Sequence, residues 1–380
     1  MKVLALKPGH DGSVAYVEDG KLVFSYEAEK DSFERHSDLT AQVMFSALTA
    51  CPDVPDLVAI GGWHKTLPGL ASAVAAGYHG LDPSPIERGR LLGHDVLLHS
   101  SSHERSHIFG GVAMSGLDPE NELAVLVYEG VLGAFYFWRG PTEPLERFAA
   151  LDQPGARYSA MFALADPSFP DHGRFPPSVY AGKLMALIGF ADEQEPTQDS
   201  RNVVDSLLDI RSLYPFAKAR YRQSALHNVG VEDAELCRAA RLLSTRLFER
   251  FLDVAVRSLP PGLPLVVVGG CGLNCDWNTL WRRCGHFSSV FVPPCADDSG
   301  SAIGSAVDAA VAAGEPCRLE WNVSSGAPFV FDAGPERTGW RSGTFDAVGC
   351  DDVVGAVAPS RDAPDVSMMG SRPAPETGGG

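Results

Sequence analysis

Two histidines four residues apart form the residue pattern with the clearest chemistry in this sequence. They are His103 and His107, in the stretch SHERSH over residues 102–107, and this segment has the character of a helix. Residues four apart on a helix share one face, with Cβ atoms roughly 5–6 Å apart, so the two imidazoles are able to bind one metal ion. His99 extends the same spacing one turn earlier. With 11 His among 380 residues the pair also arises easily by chance, so further ligands are needed.

Two carboxylates are the candidates for those further ligands. Glu129 lies in the turn after an apolar strand, and Asp298 lies at the start of a helix. Each also has an ordinary structural explanation, because a glutamate is common in turns and an aspartate is favoured at a helix N-terminus by the dipole. Together with His103 and His107 they make a set of two histidines and two carboxylates, which suits a divalent metal such as Fe, Mn or Zn.

The elements that must position these residues follow two similar layouts. Residues 3–6 predict an apolar strand, and residues 13–17 and 21–26 predict a hairpin across an Asp-Gly turn. Residues 123–127 and 131–138 repeat the order of strand, glycine-containing turn and strand. The repeat predicts an α/β fold with a duplicated core.

Glycine turns between strands and helices are the second kind of candidate site. Residues 41–50 and 232–259 have helical character, and the strand predicted at 264–268 runs into Gly269, Gly270 and Asn274. A strand, a glycine turn and a helix suit a nucleotide or phosphate, because N–H groups at a helix start point at the ligand. Residues 293–300 repeat this arrangement before a helix predicted at 301–313.

Composition limits the classes of partner. The formal net charge of −17 argues against nucleic acid or an anionic membrane as the main partner, since both need a basic surface. The longest apolar runs are too short to span a bilayer, and the N-terminus has no signal-peptide pattern. The eight cysteines are scattered without a CxxC spacing, so we expect reduced thiols and a cytoplasmic protein.

Five ordered motifs carry a resemblance to a known family. Residues 7–33 (KPGHDGSVAYVEDGKLVFSYEAEKDSF), SHERSH, YAGKLMALIGF, VVVGGCGLNCDWN and PPCADDSGSAIGSA resemble, in this order, the motifs of O-carbamoyltransferases of antibiotic and nodulation-factor biosynthesis. The resemblance covers roughly residues 1–355. The start is most similar to family members that act on a 3-hydroxymethylcephem in cephamycin-type pathways.

The resemblance implies a fold and a two-stage reaction. The fold is a duplicated, actin-like α/β core of the sugar kinase and chaperone ATPase superfamily. Carbamoyl phosphate and ATP first form carbamoyl adenylate, and the hydroxyl of a small-molecule acceptor alcohol then takes the carbamoyl group. In the family a C-terminal domain performs the first stage and the N-terminal domain performs the second.

Site residues follow from the matching motif positions. His103 and His107 match the family's metal-binding histidines, Asp298 matches the aspartate of the late metal motif, and Glu129 stands where the family usually has Asp followed by Gly. The resemblance therefore implies a divalent metal, with iron as the first choice, which acts as Lewis acid and template for the adenylate.

The GHD element places His10 and Asp11 near the acceptor. His10 is the candidate general base for the acceptor hydroxyl, because an imidazole titrates near working pH; a turn histidine bonded to the backbone is the alternative. Lys30 and Lys183 are candidate phosphate partners or simply solvated lysines, and Gly269, Gly270 and Asn274 are expected to line the adenylate.

The expected organisation is a carbamoyl-transfer domain over 1–345, with halves of about 1–120 and 121–345. Residues 346–358 resemble the start of the adenylate-forming domain, and 359–380 have the composition of a disordered tail. We therefore expect that this polypeptide alone does not make carbamoyl adenylate. A separately encoded adenylate-forming domain is one candidate partner, and a second copy of this chain in a homo-oligomer is another. Two alternatives stay open: a non-catalytic remnant or scaffold, and an ATP-dependent metabolite kinase of the same superfold.

Overall fold

Two β-sheets of related topology organise the part of the chain that the structure, a computed structural model, describes: residues 1–61, 80–172 and 174–327. The strands of the first sheet are β1 (Lys2–Lys7), β2 (Ser13–Glu18), β3 (Lys21–Glu27), β4 (Leu57–Gly61), β5 (Glu87–Leu91) and β6 (His94–Ser101). Those of the second are β7 (Leu123–Tyr128), β8 (Gly133–Trp138), β9 (Glu146–Ala149), β10 (Pro264–Val268) and β11 (Ser289–Phe291).

The two sheets repeat one pattern of strand pairing. The first has the order β3-β2-β1-β4-β6-β5 and the second has the order β9-β8-β7-β10-β11. In each, three antiparallel strands come first in sequence, and two further strands then pair parallel beside the first strand of the meander. Only β5, an antiparallel edge strand next to β6, has no counterpart among the described residues. The duplicated α/β core predicted from the sequence is confirmed.

Nine helices accompany the sheets in the described ranges. They are α1 (Ala28–Ser32), α2 (Ala41–Ala50), α3 (His103–Met114), α4 (Pro154–Ala165), α5 (Val179–Ile188), α6 (Gln198–Asp209), α7 (Ala234–Ser258), α8 (Cys275–Arg283) and α9 (Ser301–Ala312). Helix α3 lies against β7 and β10 of the second sheet, whereas α9 packs on β1, β2 and β4 of the first. The two helices therefore fill the core between the sheets and contact each other along their lengths.

Small residues allow α3 and α9 to approach closely. A Cβ added at Gly304 would lie 1.7 Å from the carbonyl oxygen of Ser106, and one added at Gly110 would lie 3.0 Å from the Cα of Gly304. Arg105 and Asp308, both buried, form an ion pair across the same contact. The relative position of the two helices is therefore fixed by backbone contact and by charge.

Most predicted elements are observed with small shifts at their ends. The Asp-Gly hairpin turn has both residues at positive φ, 48° for Asp19 and 77° for Gly20, as the turn that matches strand twist requires. Strand β8 begins at Gly133, two residues later than predicted, because Glu129 N donates to Leu132 O and closes a longer turn. The helix predicted at 232–259 spans Ala234–Ser258, with Asp233 as its N-cap.

One prediction was wrong. His99 lies on strand β6, so it does not continue the helical face of His103 and His107. The helix begins at His103 because the Ser102 hydroxyl caps it by accepting from Arg105 N at 3.0 Å. The predicted boundaries beyond residue 327, namely 346–358 and the tail 359–380, lie outside the described residues, and the domain boundaries stay a prediction. No helix among the described residues is long and apolar enough to cross a membrane.

Candidate metal centre

Helix α3 presents the two histidines into the core between the sheets. His103 and His107 are 2% and 4% exposed, and their rings meet edge to face with centroids 4.8 Å apart. Two hydrogen-bonding contacts fix the first turn of the helix. Ser102 caps it, and Glu104 accepts a hydrogen bond from the Tyr136 hydroxyl at 2.5 Å. The helical spacing predicted from the sequence therefore places both imidazoles on one buried face.

Glu129 reaches the same place from the end of strand β7. Its backbone N–H donates to Leu132 O at 2.9 Å, and its carbonyl accepts from Gly155 N at 3.1 Å, at the start of α4. A side chain at Gly155 would crowd this turn, since a Cβ there would lie 3.2 Å from that carbonyl oxygen and 3.1 Å from the Cα of Gly130. The turn is thus held on both sides, and the Glu129 carboxylate is directed at the histidines.

Asp298 is the first residue of a short 3-10 turn, Asp298–Gly300, directly before α9. Its neighbour Asp297 performs the capping role, accepting from Ser299 N at 3.2 Å and from Ser299 Oγ at 2.6 Å. Because Asp297 satisfies the start of the turn, the carboxylate of Asp298 is available to the interior. It is 7% exposed.

The four side chains converge on one point. Ligand atoms of His103, His107, Glu129 and Asp298 all lie within 4.8 Å of one another, and we call these four residues the metal centre. His103 Nε2 lies 2.8 Å from Glu129 Oε2, and His107 Nε2 lies 3.2 Å from Asp298 Oδ1. The cross distances, His103 to Asp298 and His107 to Glu129, are both 3.8 Å.

The electrostatics of the centre favour a bound cation. Burial, the largest single effect, raises the pKa of both carboxyls, but the neighbouring cationic groups together outweigh it. His103 and His107 lower the pKa of Glu129, and with Lys7 they bring the pKa of Asp298 well below its usual range. Two buried carboxylates without full compensation are costly. Two imidazole nitrogens and two carboxylates are a donor set that suits a divalent transition metal, so the residues present fit the predicted metal.

Lys7 is a member of the site that sequence reasoning missed. It ends strand β1, its side chain is fully buried, and Nζ lies 3.4 Å from Asp298 Oδ2. Nζ also donates to the carbonyl of His10 and lies 3.3 Å from His10 Nδ1. No local sequence signal marks it, because a lysine is almost never fully buried unless it is paired and its partner Asp298 lies far along the chain.

The two oxygens of Asp298 face different groups. Oδ1 is directed at His103 and His107, whereas Oδ2 lies 3.4 Å from both Lys7 Nζ and His10 Nε2. The His10 side chain is 51% exposed, in contrast to the buried metal centre. Asp298 therefore connects two parts of the site: a buried part, made of the metal ligands, and an accessible part that ends at His10.

The predicted acceptor residues His10 and Asp11 occupy this accessible side. Burial and the neighbouring Lys7 ammonium lower the pKa of His10, despite the opposing effect of Asp298, which favours the neutral imidazole that a base needs. Asp11 has a partner of its own, since His36 Nδ1 lies 2.9 Å from its Oδ1. Asp11 has φ 51° and Gly12 N donates to Ser37 O at 2.9 Å, so the loop is held in place.

The glycine turn after β10 is tightly built. Gly269 has φ +94°, and a Cβ there would lie 2.4 Å from the carbonyl oxygen of Tyr128, so only glycine fits. Gly270 begins a 3-10 turn. Asn274 is buried and caps α8, accepting from Trp277 N at 3.2 Å. The turn lies beside β7 and therefore near Glu129; binding of the adenylate by these residues stays a prediction.

The two predicted phosphate lysines lie in different surroundings. Lys30 Nζ lies 3.5 Å from Glu27 Oε2, and its side chain is 72% exposed in a cleft near Asp11. Lys183 is on α5, where its ammonium lies over the rings of Phe162 and Tyr180 at 5.7 and 5.4 Å. The structure brings neither lysine to the metal centre, and their phosphate roles stay predictions.

Comparison with known proteins shows the family of the chain. Residues 247–307 match the family model described as the carbamoyltransferase N-terminus. The chain is 46% identical over 91% of its length to the 3'-hydroxymethylcephem-O-carbamoyltransferase of Streptomyces clavuligerus, and 45% identical over 95% to that of Amycolatopsis lactamdurans. It spans 66% and 69% of the length of these two relatives.

A solved structure also aligns with the chain. The activator of the 2-hydroxyisocaproyl-CoA dehydratase from Clostridium difficile matches with a TM-score of 0.47 at 13% identity, over 83% of this chain and 96% of that one. The sequence relatives decide the classification: the chain belongs to the O-carbamoyltransferase family.

Proposed function

We propose that this chain transfers a carbamoyl group from carbamoyl adenylate, formed from carbamoyl phosphate and ATP, to the hydroxyl of a small acceptor alcohol. The acceptor that we propose is a 3-hydroxymethylcephem, the compound class in the names of the two relatives. One observation carries the proposal: Asp298 is one of four buried side chains that could bind a metal, and its carboxylate also lies beside the accessible His10 ring.

The metal centre would hold a divalent metal, and we propose iron. His103, His107, Glu129 and Asp298 are the residues that would bind it. When bound, the metal supplies a positive charge that polarises the carbamoyl donor and offsets the charge on its phosphate. This charge is needed because a chain of net charge −17 provides few other cations for a nucleotide.

The protein's own groups would act on the acceptor. The acceptor oxygen attacks the carbamoyl carbon, the bond from that carbon to the adenylate phosphate oxygen breaks, and AMP leaves. The imidazole of His10 takes the hydroxyl proton, and Lys7, in contact with the His10 carbonyl and close to Nδ1, holds the ring in place.

The cysteines support a reducing location. The seven cysteines in the described ranges are all unpaired thiols, as in proteins kept reduced. We therefore propose that the transfer takes place in the cytoplasm.

Supplying synthetic carbamoyl adenylate together with a 3-hydroxymethylcephem alcohol tests the proposal. The metal-loaded chain is expected to form the carbamate, measured by mass spectrometry, and the double variant His103→Ala/His107→Ala is expected to lose this activity. His94→Ala, an exposed histidine on β6, is the matched control and should be fully active. Carbamate formation no faster than without protein would overturn the proposal. In a parallel reaction that contains ATP and the acceptor but no carbamoyl donor, phosphorylation of the acceptor would favour the kinase instead.

A further inference from the structure

Asp298 belongs to a second group of metal-ligand side chains, outside the metal centre. Its Oδ1 faces His103 and His107, whereas its Oδ2 faces His10. Ligand atoms of His10, Asp11 and Asp298 all lie within 4.8 Å of one another, and we call these three residues the outer cluster. One imidazole and two carboxylates are a donor set that a divalent transition metal accepts, with water completing its coordination.

The spacing inside the outer cluster is that of metal ligands rather than of hydrogen-bond partners. His10 Nε2 lies 3.4 Å from Asp298 Oδ2, which exceeds the roughly 2.7–3.2 Å of an N–H···O hydrogen bond. Two ligand atoms that each lie about 2.0–2.2 Å from one tetrahedral ion are roughly 3.3–3.6 Å apart. A cation between Nε2 and Oδ2 therefore needs little rearrangement of these two side chains.

Neighbouring groups orient two of the three ligands. His36 Nδ1 lies 2.9 Å from Asp11 Oδ1 and 3.1 Å from its Oδ2, and hydrogen bonds of this kind commonly hold a ligating carboxylate in place. Lys7 Nζ donates to the carbonyl oxygen of His10 and lies 3.3 Å from Nδ1. The other ring nitrogen, Nε2, is therefore the one directed at Asp298.

Charge decides how tightly a cation is held at the outer cluster. Lys7 Nζ also lies 3.4 Å from Asp298 Oδ2, and its ammonium repels a cation there. The lining of the cleft beside Asp11 has the opposite effect, because its acidic side chains outnumber its permanently cationic ones. The acids are Asp11, Glu27, Glu29 and Asp297, and the cations are Lys30, Arg35 and, when protonated, His36. A second cation is therefore attracted, but less strongly than one at the metal centre, which has two imidazoles.

Solvent reaches the outer cluster. The side chain of His10 is 51% exposed, whereas that of Asp298 is 10% exposed. The cleft beside Asp11 has a volume of about 70 Å³, enough for several water molecules. A hydrated ion is therefore able to reach these ligands from outside.

We propose that the outer cluster binds a second divalent transition metal ion, which shares the Asp298 carboxylate with the ion of the metal centre. Each ion takes one of the two carboxylate oxygens, so the ions lie close together, as in two-metal sites. The second ion occupies a lone pair of His10 and thereby blocks the proposed base, so excess metal inhibits carbamoyl transfer. This inhibition rests on the proposed function, whereas binding of the second ion does not.

Titration of the chelator-stripped full chain with Mn²⁺, followed by electron paramagnetic resonance, tests the binding. We expect two Mn²⁺ per chain, the second bound roughly tenfold more weakly, with magnetic coupling between them through Asp298. His10→Ala and Asp11→Asn should each bind one Mn²⁺ without coupling. His36→Phe should keep both sites and weaken the second roughly tenfold.

His94→Ala is the matched control, because His94 is exposed on β6; it should give the coupled signal of the wild type. The inference is overturned if the wild type binds one Mn²⁺ only, if two ions bind without coupling, or if His10→Ala still shows the coupled signal.

The carbamoyl-transfer rate at one and two equivalents of Mn²⁺ tests the inhibition. We expect the rate to fall as the second ion binds, and the ratio of the two rates to return to about one in Asp11→Asn. A coupled pair of ions with an unchanged rate overturns the inhibition. A chain that shows the coupled pair but transfers nothing at one equivalent overturns the proposed function and supports the second site.

Discussion

Removal of the charge of Asp308 tests how α3, which carries both histidines, is held against α9. The Asp308 carboxylate is fully buried; Arg105 Nη2 lies 2.5 Å from Oδ1, and Ser101 Oγ donates to Oδ2 at 2.7 Å. In Asp308→Asn the guanidinium of Arg105 stays buried without its counter-charge. Breaking a buried ion pair from one side costs about 3–5 kcal/mol, so we expect a loss of this size in the free energy of unfolding.

The pKa of Asp308 gives a second measure of the same contact. Burial alone raises this pKa, but His99 and Arg105 outweigh burial and lower it to about 2, from an ordinary 3.8. This difference corresponds to about 2 kcal/mol. A carboxyl with a lowered pKa stabilises the fold above its unfolded pKa, and that stability is lost as pH falls from about 4 towards 2. The mutation costs more, because it also leaves Arg105 unpaired.

Urea unfolding at pH 7 and pH 3 measures both effects. We expect Asp308→Asn to lose about 3–5 kcal/mol at pH 7 and about 1 kcal/mol less at pH 3, where the wild type has already lost part of the contribution. The double variant Arg105→Met/Asp308→Leu should recover most of the stability, since an apolar pair replaces a buried ion pair well. A loss below about 1 kcal/mol at pH 7, or an equal loss at both pH values, would refute the reasoning.

Three further predictions concern the site itself. His107→Ala should weaken metal binding by roughly 100-fold or more in a chelator competition, because it removes a ligand of the centre. Lys7→Met should lower kcat for carbamoyl transfer roughly tenfold with little change in the KM for acceptor, because it releases the ring of the proposed base His10 and removes the cation beside Asp298. Gly269→Ala should cost about 2 kcal/mol or more in unfolding free energy, since its Cβ would lie 2.4 Å from Tyr128 O; Gly262→Ala, at φ +85° in open space, should cost about 1.

Each of these predictions has its own contrary result. Unchanged chelator competition in His107→Ala, when His94→Ala is also unchanged, would exclude that histidine from the centre. An unchanged kcat with a raised acceptor KM in Lys7→Met would assign Lys7 to acceptor binding. Equal costs for the two glycine variants would mean that backbone conformation alone explains Gly269.

The sequence predicted what short-range patterns control. The Asp-Gly hairpin turn, the helical face of His103 and His107, and the repeated order of strands depend on neighbouring residues, and the structure shows all three. His99 was placed wrongly because the same spacing occurs by chance across the boundary between strand β6 and α3.

Long-range contacts explain the features of the site that the sequence did not predict. A lysine at the end of a strand is usually exposed, and Lys7 is buried only because Asp298, far along the chain, lies beside it. The pair formed by Arg105 and Asp308 likewise depends on the crossing of α3 and α9. Helix α3 follows the first sheet in sequence but packs on the second, and α9 follows the second sheet but packs on the first. No local sequence pattern predicts this arrangement.

The central claim is that His103, His107, Glu129 and Asp298 share one metal ion that serves carbamoyl transfer. X-ray absorption at the edge of the metal in the loaded, active chain tests it most directly. We expect one metal per chain with two imidazole nitrogens and carboxylate oxygens at about 2.0–2.2 Å, and loss of the imidazole signal in His103→Ala/His107→Ala. A full carbamoyl-transfer rate in metal-free protein, or a bound metal whose spectrum is unchanged in that double variant, would contradict it.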